Sequence, residues 1–121
     1  MMIILLAEDD DMSRDMLSRR LAKLGYVVIE ARNGAEAIDA ARTEKPDLII
    51  MDVCMPQIDG IEAMRKLKAD QKTSRIPIIA LTALNTAADV RRAVEAGCAA
   101  YETKPVGIVK LNIKIRKLLA G

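Results

Sequence analysis

Glu8-Asp9-Asp10-Asp11, Asp52, Thr82 and Lys104 are the residues of this chain whose types could do chemistry together. Carboxylates are hard oxygen donors, and Mg²⁺ is commonly bound by one or two of them plus a phosphate. A carboxylate is also a nucleophile toward phosphorus, because Asp side chains form aspartyl-phosphates. A hydroxyl and an ammonium can hold phosphoryl oxygens, since phosphoryl transfer is catalysed mostly by positioning and charge stabilisation. Each of these residues ends an apolar run. Ile3-Ile4-Leu5-Leu6-Ala7 meets Glu8, Leu48-Ile49-Ile50-Met51 meets Asp52, and Ile78-Ile79-Ala80-Leu81 meets Thr82. A shorter run at Ala99-Ala100-Tyr101 leads through Glu102-Thr103 to Lys104-Pro105.

The elements that must position them follow from the spacing. Between the apolar runs lie helical repeats: Leu17, Leu21 and Leu24, stopped by Gly25; Ala37, Ile38 and Ala41, ended before Lys45-Pro46; Ile61, Met64 and Leu67; Val90, Ala93 and Val94, closed by Gly97; and Ile108, Leu111, Ile115, Leu118 and Leu119. A further β-rich run is Tyr26-Val27-Val28-Ile29. Strands alternating with helices predict an α/β fold with a parallel sheet, and strands covered on both faces are continuously apolar, as these are. The expected architecture is a flavodoxin-like, doubly wound (βα)5 fold with a five-stranded parallel sheet in the order 2-1-3-4-5. Ligands of such folds sit beyond the carboxyl ends of the strands, where the polar residues stand. The first and third strands are neighbours in that order, so Glu8 and Asp9 lie beside Asp52. Three carboxylates that close repel, and without a cation at least one pKa should rise.

With 121 residues the chain reads as one domain, 1–121, with a single sizeable core. Tyr26 and Tyr101 are the only aromatics, so that core is aliphatic. The net charge of +2, with both signs interspersed, gives no basic stripe and argues against a nucleic-acid partner. Cys54 and Cys98 have no metal-ligand spacing and no histidine to help them, and read as reduced thiols of a cytoplasmic protein. The apolar start meets acids too soon to span a membrane and lacks the basic start of a signal peptide.

At these residues the chain resembles the receiver domains of two-component response regulators. The matches are Glu8-Asp9, Asp52 within Asp47-Leu48-Ile49-Ile50-Met51-Asp52-Val53-Cys54-Met55-Pro56, Gly60 after Asp59, Thr82-Ala83, Tyr101 and Lys104-Pro105. They run through the whole chain, and the tone is closest to a stand-alone, cell-division type of regulator. The resemblance implies that Asp52 accepts phosphate from a kinase phosphohistidine. It implies that Asp9, Asp52 and the backbone carbonyl of Cys54 ligate Mg²⁺, with Glu8 nearby, often through water. Thr82 and Lys104 would contact the phosphoryl group, the Lys104-Pro105 bond would be cis, and Thr82 and Tyr101 would form the switch. The implied partners are a histidine kinase or phosphotransfer protein and a downstream protein target. The target would be met through the face of the fourth helix, fifth strand and fifth helix, by a monomer or weak dimer without membrane insertion. Catalysis would be limited to slow self-phosphorylation and self-dephosphorylation. Cys54 and Leu84, two residues after the acceptor and after Thr82, would flank the path of the hydrolytic water. Neither positions water well, which predicts slow loss of phosphate.

Plainer roles compete with these. Asp10 or Asp11 more simply caps the next helix, Thr82 taken alone is a capping or turn residue, and Tyr101 taken alone is core filler. Lys110, Lys114, Arg116 and Lys117 read as a solvated face, with an acidic partner as the alternative. A dinucleotide-binding or P-loop enzyme would need glycines where Glu8-Asp9-Asp10-Asp11 stands, and a flavin module a different phosphate loop. An Asp-nucleophile phosphatase would carry an acid at the position of Cys54. The remaining alternatives are a receiver-like interaction module that is not phosphorylated, and a receiver cut from a longer regulator or hybrid kinase.

Overall fold

The computed structural model describes residues 1–53, 55, 59–83 and 86–120. Among these residues five strands alternate with five helices: β1 Ile3–Ala7, α1 Asp11–Lys23, β2 Val27–Ala31, α2 Gly34–Glu44, β3 Leu48–Asp52, α3 Gly60–Ala69, β4 Ile78–Thr82, α4 Ala87–Ala96, β5 Ala100–Thr103 and α5 Ile108–Ala120. All neighbouring strands pair in parallel, in the order β2-β1-β3-β4-β5. This is the expected doubly wound sheet.

Alternate side chains of the strands feed two cores, one on each face. Leu5, Ile49, Met51 and Ile78 meet Ala37, Ala41, Met64 and Leu67 of α2 and α3. Ile4, Leu6, Leu48, Ile50, Ile79 and Leu81 meet Leu17 and Leu21 of α1 and Leu111 and Ile115 of α5. Burial of each such Leu or Ile contributes about 1.5–3 kcal/mol, which is how an almost wholly aliphatic core suffices.

The helix ends follow local chemistry. Asp10, Asn33, Asp59 and Thr86 are the N-caps of α1, α2, α3 and α4, each accepting a hydrogen bond from the backbone N–H three residues on. After α1, Gly25 takes the left-handed conformation at φ 97°, where a side chain would be strained. Gly60 is needed for a different reason. A Cβ there would lie 2.0 Å from the Asp52 carbonyl oxygen, so only glycine lets α3 start against the end of β3.

Two helical patterns differ from expectation. Leu24 is the C-cap of α1 and is exposed, and Val94 of α4 is 55% exposed while Ala93 and Ala96 face the core. No helix among the described residues is long and apolar enough to cross a membrane.

Candidate functional site

The register of the sheet brings the site together. Ala7 pairs with Met51, so Glu8 follows directly beside Asp52, the last residue of β3. Asp52 pairs with Leu81, which places Thr82 one step beyond. Thr82 pairs with Thr103, and its carbonyl accepts the Lys104 backbone N–H at 2.8 Å. Four separate apolar runs thereby deliver their polar ends to one edge.

Glu8, Asp52 and Thr82 are only 3%, 3% and 4% exposed. Lys104 reaches across them: its Nζ donates to Glu8 Oε1 at 2.7 Å and to Asp52 Oδ2 at 3.0 Å. Burial alone would lower the Lys104 pKa, but the two carboxylates outweigh it and hold the ammonium above its ordinary value. Glu8 shifts the other way from an ordinary carboxyl. Burial first, then the adjacent Asp52 carboxyl, push it up to about 7 against the pull of Lys104. The rise expected from crowded acids therefore falls on Glu8.

Oxygen atoms of Glu8, Asp9 and Asp52 all lie within 4.8 Å of one another, with Asp9 exposed and the other two buried. Glu8 Oε2 is buried with no hydrogen-bond partner among the described residues. A buried carboxylate oxygen without a donor is costly unless a cation or ordered water meets it. Three hard oxygen donors at an open edge, one of them unsatisfied, fit Mg²⁺.

Asp10 stands apart from this trio. Its Oδ2 accepts the Ser13 backbone N–H at 2.8 Å, and the Ser13 hydroxyl first, then that N–H, hold its pKa below the ordinary value. It is a cap, as the plainer reading had it. Asp11 is no cap; it sits in the first turn and pairs with Arg14 at 2.6 Å. Thr82 ends a buried strand, and the capping role beyond it belongs to Thr86. Tyr101 is 37% exposed on β5, so it is not core filler. Lys104-Pro105 is cis. Cys54, Pro56 and Leu84 lie outside the described residues.

Two features were not read from the sequence. Lys114 is not merely solvated: it pairs with buried Glu102 of β5 at 2.5 Å. Arg14 ties the β1–α1 turn to β2, through bonds to the Glu8 carbonyl at 3.0 Å and Glu30 at 3.1 Å. Its position at the first turn of α1, shortly after the acids, was the available signal.

The fold and this edge define a class that comparison identifies. Residues 4–116 match the model of the response regulator receiver domain. The chain is 35% identical, over 96% of its length and 94% of the relative's, to the polar-differentiation response regulator DivK of Brucella anthropi. Among solved structures it resembles the receiver domain of a signal transduction histidine kinase from Syntrophus aciditrophicus, with 38% identity and TM-score 0.93 over 100% of this chain and 92% of that one. It also resembles the receiver domain of a sensor histidine kinase from Pseudomonas aeruginosa, in which a magnesium ion is coordinated in the active site cleft. There identity is 32% and TM-score 0.93, over 99% of this chain and 98% of that one. The chain belongs to the response regulator receiver domain family, whose members act in two-component systems.

Proposed function

We propose that this receiver domain is a phosphorylatable switch in which Asp52 accepts a phosphoryl group from a kinase phosphohistidine. One Asp52 carboxylate oxygen attacks phosphorus, the bond from phosphorus to the imidazole nitrogen breaks, and an acyl phosphate forms. The observation that carries this reading is the Lys104 ammonium bonded to both Glu8 and Asp52 at the ends of three strands. An ammonium already seated beside the acceptor can follow the phosphoryl oxygens as charge moves onto them. Thr82, buried next to Asp52 on the adjoining strand, is the hydroxyl for a third oxygen.

Asp9 and Asp52 would hold Mg²⁺, with Glu8 alongside and the backbone carbonyl of Cys54 as the further ligand the family resemblance implies. Bound there, the ion would neutralise the acids and draw charge from the phosphoryl oxygens. The protein's own catalysis would be limited to slow self-phosphorylation and self-dephosphorylation. Its output would be a change in protein contacts at α4, β5 and α5, with Thr82 and Tyr101 as the switch pair.

Labelling with acetyl phosphate in Mg²⁺ tests the proposal. Wild type should take up one phosphoryl group and Asp52→Asn none. Undiminished labelling of that variant would remove Asp52 from the role, and an unlabelled wild type would leave an interaction module that is not phosphorylated.

A further inference from the structure

We infer that Arg14 is a positioning residue for the metal site, its guanidinium fixing the turn that carries Glu8 and Asp9. The Arg14 side chain is only 12% exposed and bonds in three directions. Nη1 donates to the Glu8 carbonyl at 3.0 Å, Nε to Glu30 Oε1 on β2 at 3.1 Å, and Nη2 to Asp11 Oδ1 on α1 at 2.6 Å. Glu30 is steadied in turn by the Ser18 hydroxyl, which donates to its other oxygen at 3.4 Å. From the opposite side, the Glu8 backbone N–H donates to the Ala31 carbonyl at 3.0 Å. The Glu8 peptide is therefore held at both its N–H and its carbonyl, between β2 and α1.

Such a clamp answers a problem posed by the site. Glu8, Asp9 and Asp52 repel one another, and the first two stand on a short turn that could relieve the repulsion by opening. Arg14 opposes that movement without touching the carboxylates: it grips the Glu8 carbonyl and leaves the acid oxygens for the cation. Only a planar fork with several fixed donors makes these three bonds at once, and a lysine ammonium does not have that geometry.

The sign of the effect separates positioning from charge. Arg14 is a cation close to a cation site, so by charge alone its removal should tighten Mg²⁺ binding. Positioning predicts the reverse. Outlying residues that orient metal ligands typically contribute 10–100-fold in affinity, so a fall of roughly tenfold is expected for Arg14→Gln. Arg14→Lys keeps the charge and loses the fork, and should also fall by roughly tenfold.

Mg²⁺ affinity of the unphosphorylated protein is to be measured by titration calorimetry, at a temperature where circular dichroism shows each variant folded. A fall in both variants supports the inference. Unchanged affinity in the lysine variant, or raised affinity in the glutamine variant, overturns it; a purely structural role would lower the melting temperature and leave the affinity of the folded protein alone. The inference rests on reading Glu8, Asp9 and Asp52 as a Mg²⁺ site. A wild type that binds no Mg²⁺ would defeat that reading, whereas a wild type that binds and variants that bind equally would defeat the inference alone.

Discussion

Lys104 puts a positive charge beside the acids that would hold a metal ion. Its ammonium bridges Glu8 and Asp52 and supplies the positive charge those buried acids need. Removing a unit charge about 4 Å from a divalent cation is worth about 2 kcal/mol in water, or roughly thirtyfold in affinity. Lys104→Met should therefore bind Mg²⁺ more tightly while losing acetyl-phosphate labelling, because the group that follows the phosphoryl oxygens is gone. Calorimetry and labelling on one sample check both halves; weaker Mg²⁺ binding would mean that Lys104 orders the acids rather than competes for them. The family resemblance adds a prediction at Cys54 and Leu84. Cys54→Asn or Leu84→Glu should speed phosphate loss by offering the attacking water a hydrogen-bond partner, and equal decay rates would dismiss both sites.

At the scale of the element, helix starts bind the scaffold to the site. Gly60 opens α3 against the Asp52 carbonyl, and the added methyl of Gly60→Ala would force β3 and α3 apart. Overpacking of this kind costs roughly 1–3 kcal/mol, and the displaced strand end should also lower the labelling rate. Denaturant melts and labelling of the variant measure the two effects.

The start of α2 gives a pH-dependent test away from the site. The Asn33 side chain accepts the Glu36 backbone N–H at 2.9 Å. Glu36 Oε1 in turn accepts the Arg32 backbone N–H at 2.9 Å, and this bond leads in holding its pKa below the ordinary 4.5. A depressed carboxylate contributes stability that is present above the unfolded value and lost as pH falls through the folded one. Wild type should thus melt higher than Glu36→Gln at neutral pH, with the gap closing as pH drops below 4.5. A gap that persisted in acid would show that the charge is irrelevant to the cap.

For the whole molecule, the helices are fastened unequally. α3 buries Gly60, Ile61, Ala63, Met64 and Leu67, whereas α4 buries only Ala93 and Ala96. Alanines bring little apolar area, so α4 belongs to the least stable part of the fold and is the segment a ligand can most readily shift. Beryllofluoride with Mg²⁺, a phosphoryl mimic, should change amide exchange most between residues 83 and 104. Bound at a hundred times its dissociation constant, it should stabilise the protein by about 2.7 kcal/mol. Exchange that changed only elsewhere would exclude this route from Asp52 to Tyr101.

The alternation of apolar runs and helical repeats, with polar residues at the run ends, was enough to determine the parallel sheet and the edge at which its polar residues stand, while the order that brings Glu8, Asp9, Asp52, Thr82 and Lys104 together came with the flavodoxin-like fold. That follows because a strand buried on both faces must be apolar throughout, so its first polar residue marks its end. Helix faces were less legible. Leu24 and Val94 fit the period yet lie exposed, since a repeat says which residues share a face but not how far the neighbouring elements extend over it. Pairings between distant charges outside the Lys104 cluster were not legible from spacing. That Lys114 meets Glu102, that burial raises the pKa of Glu8, and that Arg14 grips the Glu8 carbonyl were decided only by the tertiary structure. Each depends on burial and on distances of about 3 Å between separate elements, which linear spacing does not contain.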